Sequence, residues 1–201
     1  QSKTEVEGYA IVHYAKGAIN KPTKPSSGST CYGFLANGAK WKVAPEGWVV
    51  NTANNEGLDS NFIVDNLNYD IAKWEGYAGK SILGSGVVTT ETLIPDETAP
   101  DGKNEVMFGD VLDSPNAIAV TIVWGVFGGN PCNRQLVEWD MIFDEADFNW
   151  GIGDLTKMDF ENITTHELGH AFGMADLYTT GCNQETMFGY ALEGQIIKLI
   201  N

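Results

Sequence analysis

The alternation of apolar and polar positions changes character near residue 40. Before it, only residues 10–14 read as a strand, and residues 20–30 are crowded with Lys, Pro, Ser, Gly and Thr, the composition of a linker or surface loop. Residues 1–40 are therefore expected to form an N-terminal arm or pro-like segment, and residues 41–201 a compact domain. Within that domain residues 48–51 read as a short strand and 54–57 as a turn. Phe62, Ile63, Leu67, Ile71 and Trp74 then recur at the spacing of one helix face, with Ser60 placed to cap it and Gly76 and Gly79 to end it. Strands are predicted at 82–93, 105–108, 117–124 and 136–143, separated by turns rich in Pro, Gly, Asp and Asn, and they suit one twisted sheet. Residues 144–156 lack periodicity and read as a loop. Asp159 then caps a second helix, with Glu161 in its first turn where the helix dipole favours an acid. Phe160, Ile163, Leu168 and Phe172 are spread around its axis, so this helix is expected to be buried and central, ending at Gly173.

Composition narrows the class. At 201 residues, 43% apolar and 19% charged, the chain can bury a sizeable core without repeats or a dense disulfide net. Its longest apolar run, 117–127, is broken by Thr121 and Gly125 and falls short of the roughly 20 residues that cross a bilayer. Twenty-seven acids against 12 bases give a net charge of −15, with Arg134 the one arginine. Nucleic acid and anionic membrane surfaces are excluded as partners, because both are bound through clustered Lys and Arg. The acidity suits solubility, calcium or cationic substrates. The sequence opens at Gln1 with no initiator methionine and no leader, as expected of a mature or trimmed product, which leaves room for a removed export signal. Cys31, Cys132 and Cys182 allow three single pairings, each leaving one thiol, and point to an oxidising compartment.

The chemistry lies in the second helix. Of three histidines, His13, His166 and His170, the last two stand four residues apart, so both imidazoles leave one helix face. Zinc takes N, S or O donors at about 2.0–2.3 Å in a tetrahedron, and two imidazoles one turn apart supply two corners. Glu167, one residue after the first ligand, can reach the open side and take a proton from bound water. Gly173 permits a chain reversal, and Asp176 can then return a carboxylate oxygen to the same face. Two histidines, one aspartate and a water fill four positions, the pattern of a hydrolytic rather than a structural zinc site. His13, in the arm with no partner spacing, reads as an ordinary surface or packed histidine.

The run HELGHAFGMAD resembles the extended zinc motif of the metzincin metallopeptidases, with Asp176 where most members carry a third histidine. Glu185-Thr186-Met187-Phe188-Gly189 is similar to the family's Met-turn, with Met187 as its methionine, and the order of elements over residues 40–191 resembles a matrixin-like domain. The resemblance implies an α+β (α/β-like) zincin fold: a twisted, mostly parallel sheet with one antiparallel edge strand, a backing helix and a central active-site helix. The edge strand would contain Ala119, Val120, Thr121 and Ile122, whose free backbone groups could hold an extended peptide. Phe188, Gly189, Tyr190 and Ala191 would wall the pocket for the residue after the cut bond. Tyr190 stands three residues after the methionine rather than two, so it is not assigned an oxyanion role. Glu167 would act as general base and then as acid in direct hydrolysis. With Asp176 replacing a neutral imidazole, the loaded site carries a lower formal charge and is expected to acidify its water less than three histidines would.

The surroundings of Cys31 lack the arginine, proline and aspartate of the family's latency switch, so a Cys31–Cys182 disulfide is expected instead, with Cys132 free. Structural calcium, common in matrixins, would fall in the acidic loop 144–154, although no EF-hand spacing is present. The chain stops soon after Tyr190, where family members continue into a helix, so a short or clipped domain is expected. The sequence therefore implies an exported, monomeric zinc endopeptidase acting on proteins or peptides. A noncatalytic zinc-bearing peptide-binding or adhesion module, and a latent precursor requiring removal of residues 1–40, are the alternatives.

Overall fold

The computed structural model describes residues 5–17, 31–112, 114–196 and 200. Its strands and helices in chain order are β1 (Glu7–Ala15), β2 (Glu46–Asn51), α1 (Ser60–Ala78), β3 (Leu83–Thr89), β4 (Glu105–Gly109), β5 (Ala117–Val126), β6 (Gln135–Asp144), β7 (Trp150–Gly151), β8 (Met158–Asp159), α2 (Phe160–Ala171) and β9 (Tyr190–Ala191). Seven strands form one mixed sheet in the order β3-β2-β4-β6-β5-β1-β9, and β7 pairs with β8 separately. Strands β3, β2, β4 and β6 are mutually parallel. β5 runs antiparallel to β6, β1 antiparallel to β5, and β9 parallel to β1. The class is thus α+β with a mostly parallel sheet. Among the described residues no helix is long and apolar enough to cross a membrane.

The helices form where the apolar spacing places them, and their ends have local causes. α1 is capped by Asp59 rather than Ser60, because the Asp59 carboxylate accepts from the amides of both Asn61 and Phe62, while the Ser60 hydroxyl bonds Thr52. Gly76 stays inside the helix at an exposed position, and Gly79, at φ 64°, ends it. Asp159 caps α2 by accepting from the Asn162 amide.

Both helices lie against one face of the sheet. Ile63, Leu67, Ile71 and Trp74 of α1 and Phe160, Ile163 and Leu168 of α2 pack with Trp139, Met141 and Phe143 of β6 and with Trp48, Val50 and Val106. Burying each such side chain contributes roughly 1.5–3 kcal/mol. The Trp74 indole donates to the Thr165 carbonyl at 2.8 Å and Lys73 to the Thr165 hydroxyl at 3.0 Å, fixing α1 to α2 beside the motif. On the other face Val12, Val120, Ile122, Trp124 and Ile142 form a smaller apolar cluster.

The strands also differ from the sequence expectation: β3 ends at Thr89 rather than reaching 93, and β7 forms within the stretch 144–156 expected to be a loop. The segment holding Ala119, Val120, Thr121 and Ile122 is not an edge: β6 pairs along one side of β5 and β1 along the other, from Glu7 opposite Gly125 to Tyr14 opposite Ala117. All ten residues of β5 are buried for this reason. Residues 7–15 therefore belong to the sheet, and the chain after Cys31 is tied to the turn beyond α2, with Leu35 donating to Gly173 and Ala175 to Gly33. The expected linker, 20–30, lies outside the described residues.

Cys31 and Cys182 are bonded across 151 residues, and Cys132 is exposed and free. Closing so long a loop limits the unfolded chain by up to about 5 kcal/mol in the chain-entropy account. A thiol reagent is expected to label Cys132 alone in the native protein, and reduction to lower the urea midpoint; a peptide map joining Cys132 to either partner would contradict this.

Candidate metal centre

His166 and His170 are buried on one face of α2. After Phe172 the chain reverses at Gly173, φ 93°, a conformation that favours glycine, and the Met174 amide bonds back to the Gly169 carbonyl. This reversal aims the Met174 carbonyl at His170, whose Nδ1 lies 2.9 Å from it. His166 Nδ1 lies 2.8 Å from the Thr186 carbonyl. A carbonyl only accepts, so each Nδ1 carries a hydrogen, and in the neutral ring each Nε2 presents a lone pair.

Those two Nε2 atoms stand 3.1 Å apart, and Asp176 Oδ1 lies 3.1 Å from one and 3.3 Å from the other. Tyr178 donates to Asp176 Oδ2 at 2.7 Å, leaving Oδ1 directed at the imidazoles. Three acceptor atoms facing one another in a buried triangle repel unless a proton or cation lies among them. In a tetrahedron with ~2.0 Å bonds, neighbouring donors stand about 3.3 Å apart, so the donor set and its edges fit zinc. The pKa directions follow the same crowding. Burial opposes charge on His170, but the Asp176 carboxylate more than reverses this and holds it up at about 9. Burial would raise Asp176, yet His170 and His166 hold it well below the usual carboxylate range. His166 is lowered, first by burial and then by His13.

Glu167 is fully buried beside this triangle, and burial raises its pKa against the pull of His166 and His170. Thr121 of β5 donates to its Oε2 at 2.6 Å, which leaves Oε1 toward the site. Met187 is buried against α2 at Gly169. A methyl group on Gly169 would overlap its sulfur and press on the Trp74 ring, so glycine here lets α2 settle onto the methionine. Leu177 pairs with this turn, donating to the Met187 carbonyl at 2.8 Å and accepting from Gly189 at 3.0 Å, which holds Asp176 and Thr186 in one frame. Of the four expected pocket residues, Phe188 and Tyr190 line a cavity of about 430 Å³ with Leu192 and Lys16. Gly189 packs against Tyr178, and Ala191 is buried in β9.

His13 enters the site although its sequence context pointed elsewhere. Its ring stacks on His166 at 3.8 Å, and its Nδ1 approaches Glu167 Oε1 to 3.2 Å without hydrogen-bond geometry. It is 2% exposed, and burial lowers its pKa to about 4. The alternation over 10–14 puts Ile11 and His13 on one strand face, a signal that would have found it had the pairing with β5 been visible. Thr121, Tyr178 and the carbonyls of Met174 and Thr186 were likewise invisible as supports of the site. In the loop expected to hold calcium, Asp144 accepts from the amides of Val111, Ala146 and Asp147, and Asp154 from Thr156. Compared with protein-family models and with curated proteins, the chain gives no match.

Gly169→Ala is expected to destabilise the fold by about 1–3 kcal/mol through overpacking against Met187. Gly169→Ala combined with Met187→Ala should recover part of that loss in urea unfolding, whereas additive losses would contradict the contact.

Proposed function

We propose that this chain is a zinc-dependent endopeptidase of metzincin type, in a form whose peptide groove is filled by its own strand β1. One observation carries the first half of this reading: three acceptor atoms of His166, His170 and Asp176 converge at 3.1–3.3 Å with a buried carboxylate beside them. The matrixin-like order of β2, α1, β3, β4, β5 and β6 before the motif helix supports it, as does the apolar floor of Met187. The disulfide supports an exported protein.

His166, His170 and Asp176 would hold the ion, which supplies Lewis acidity toward a bound water and a peptide carbonyl. Glu167 performs the proton work. Held by Thr121 through one oxygen, it takes a proton from the attacking water with the other and passes it to the amine nitrogen as the C–N bond breaks. Its raised pKa, caused by burial, suits a group that must both accept and release a proton. Tyr178, by occupying Asp176 Oδ2, keeps that carboxylate to a single ligand oxygen. No covalent acyl intermediate is required.

The second half rests on β1. It runs antiparallel to β5 and parallel to β9, with His13 against Glu167 and Tyr14 and Ala15 opposite Tyr190 and Ala191. An extended peptide substrate would add itself to the same backbone groups of β5. β1 thus occupies the position of a substrate strand, and His13 covers the proton acceptor, which favours the latent-precursor reading over an uninhibited enzyme.

Glu167→Ala is expected to lower cleavage of a quenched peptide by about 10²- to 10⁴-fold while zinc content measured by atomic absorption is retained. A chain that binds zinc and peptide but cleaves nothing, even with β1 displaced, would instead be the noncatalytic binding module. Separately, Ile11→Pro, which removes a β1 backbone donor, and His13→Gly are each expected to raise cleavage at least about tenfold, and a synthetic peptide of residues 5–17 to inhibit the activated protein. Equal rates for the unaltered chain and both variants would refute latency and leave the peptidase assignment standing.

A further inference from the structure

On the sheet face away from the helices lies a second group of acids. Glu138 and Asp140 alternate on β6 with the core residues Trp139 and Met141, and each is only 1% exposed. The loop of residues 90–104 folds over them. The Asp96 amide donates to Asp140 Oδ2 at 2.7 Å, the Gly102 amide donates to Glu138 Oε2, and the Trp124 indole donates to the Asp96 carbonyl at 3.0 Å. These bonds use one oxygen of each β6 carboxylate. The others, Glu138 Oε1 and Asp140 Oδ1, are buried without a hydrogen-bond partner, and so is Asp96 Oδ2. Carboxylate oxygens of Asp96, Asp101 and Glu138 lie within 4.8 Å of one another. Lys103 does not neutralise the buried pair. Its side chain is 59% exposed, and its ammonium bonds Asp101 at 2.5 Å and reaches Glu105 only at 4.0 Å.

A buried carboxylate with an unused oxygen is costly, and one beside a second acid is costlier. The donor-less oxygens of Asp96 and Glu138 lower that cost if they share a cation, and Asp101, whose oxygens accept from the Lys103 amide and ammonium, lies within reach of both. We propose that Asp96, Asp101 and Glu138 form a binding site for a hard divalent cation of the calcium class, which fastens the 90–104 loop to β6. The all-oxygen donor set argues against zinc, which the histidine triangle suits better. Calcium takes 6–8 oxygens in flexible geometry, so three carboxylates at a partly exposed loop can be completed by water and backbone oxygens, whereas magnesium demands a tighter octahedron. Burial, with the mutual repulsion of the acids, also holds Glu138 and Asp140 up at about 7, as expected of carboxylates that lack a compensating charge. The site is independent of the centre on α2 and of its assigned chemistry.

Terbium, a luminescent substitute for calcium, tests this on the whole chain after saturation with zinc, because Trp124 and Trp139 flank the acids and can sensitise it. Tryptophan excitation is expected to give terbium emission that saturates at one ion per chain and is displaced by calcium with a Kd on the order of 10⁻⁴–10⁻³ M. Calcium should also raise the melting temperature. Glu138→Gln and the exposed-side variant Asp101→Asn should each weaken terbium binding at least about tenfold, and Asp154→Asn should leave it unchanged. Asp101→Asn keeps the test decisive if Glu138→Gln does not fold. Absence of sensitised emission, undiminished binding in Asp101→Asn, or loss confined to Asp154→Asn would overturn the site.

Discussion

The structure depends on one electrostatic constraint: two imidazole lone pairs and a carboxylate oxygen are held face to face inside the protein, at separations of 3.1–3.3 Å. Left to themselves they would turn apart. They are kept together because each ring is pinned at its far nitrogen by a backbone carbonyl, and because Tyr178 pins the far oxygen of Asp176. The two carbonyls come from different turns, Met174 just beyond α2 and Thr186 just before Met187, and Leu177 bonds those turns together. Gly169 and Gly173 are where this arrangement demands missing side chains, one for contact with Met187 and one for the reversal. So many fixed groups orienting three acceptors leave a donor set that could hold a metal ion without rearranging.

The same pocket separates its two carboxylates by environment. Asp176, with imidazoles beside it and a phenol on its far oxygen, is stabilised as an anion. Glu167, equally buried but with only a threonine donor, is pushed toward its neutral form. One acid is thereby suited to ligation and the other to proton transfer, although they lie nine positions apart on one continuous stretch of chain. What separates them is desolvation against local charge, not residue type.

Much of this was legible in the sequence because it is local. Both helices, the strands from β2 to β6 and the convergence of His166, His170 and Asp176 follow from spacing, capping and one turn. Asp59 and Ser60 are adjacent good caps, so only geometry chooses between them. What stayed hidden is nonlocal. The run of residues 10–14 reads as a strand, but its partner lies more than a hundred residues away, so nothing in the periodicity shows that it closes the side of β5. For that reason Ala119 to Ile122 read as an edge, and His13 read as a bystander. Being an edge is a property of the neighbours, not of the strand itself. The same holds for Glu138 and Asp140, whose alternation marks an outward face that the 90–104 loop then buries.

A single side chain joins the outer-face loop to β1. Trp124 sits on β5, where its indole nitrogen bonds the Asp96 carbonyl in the loop over the outer acids. Its ring lies against Gly8 of β1, where a Cβ would come within 2.8 Å of ring atoms. The loop over the acids and the first residues of β1 therefore share one rigid group. Gly8 fits because it adds nothing to that contact, and a bulkier occupant at the same register must move the ring or ride higher over β5. Since the ring is tied to the loop through Asp96, the packing of the 90–104 segment bears on how closely β1 approaches this end of β5.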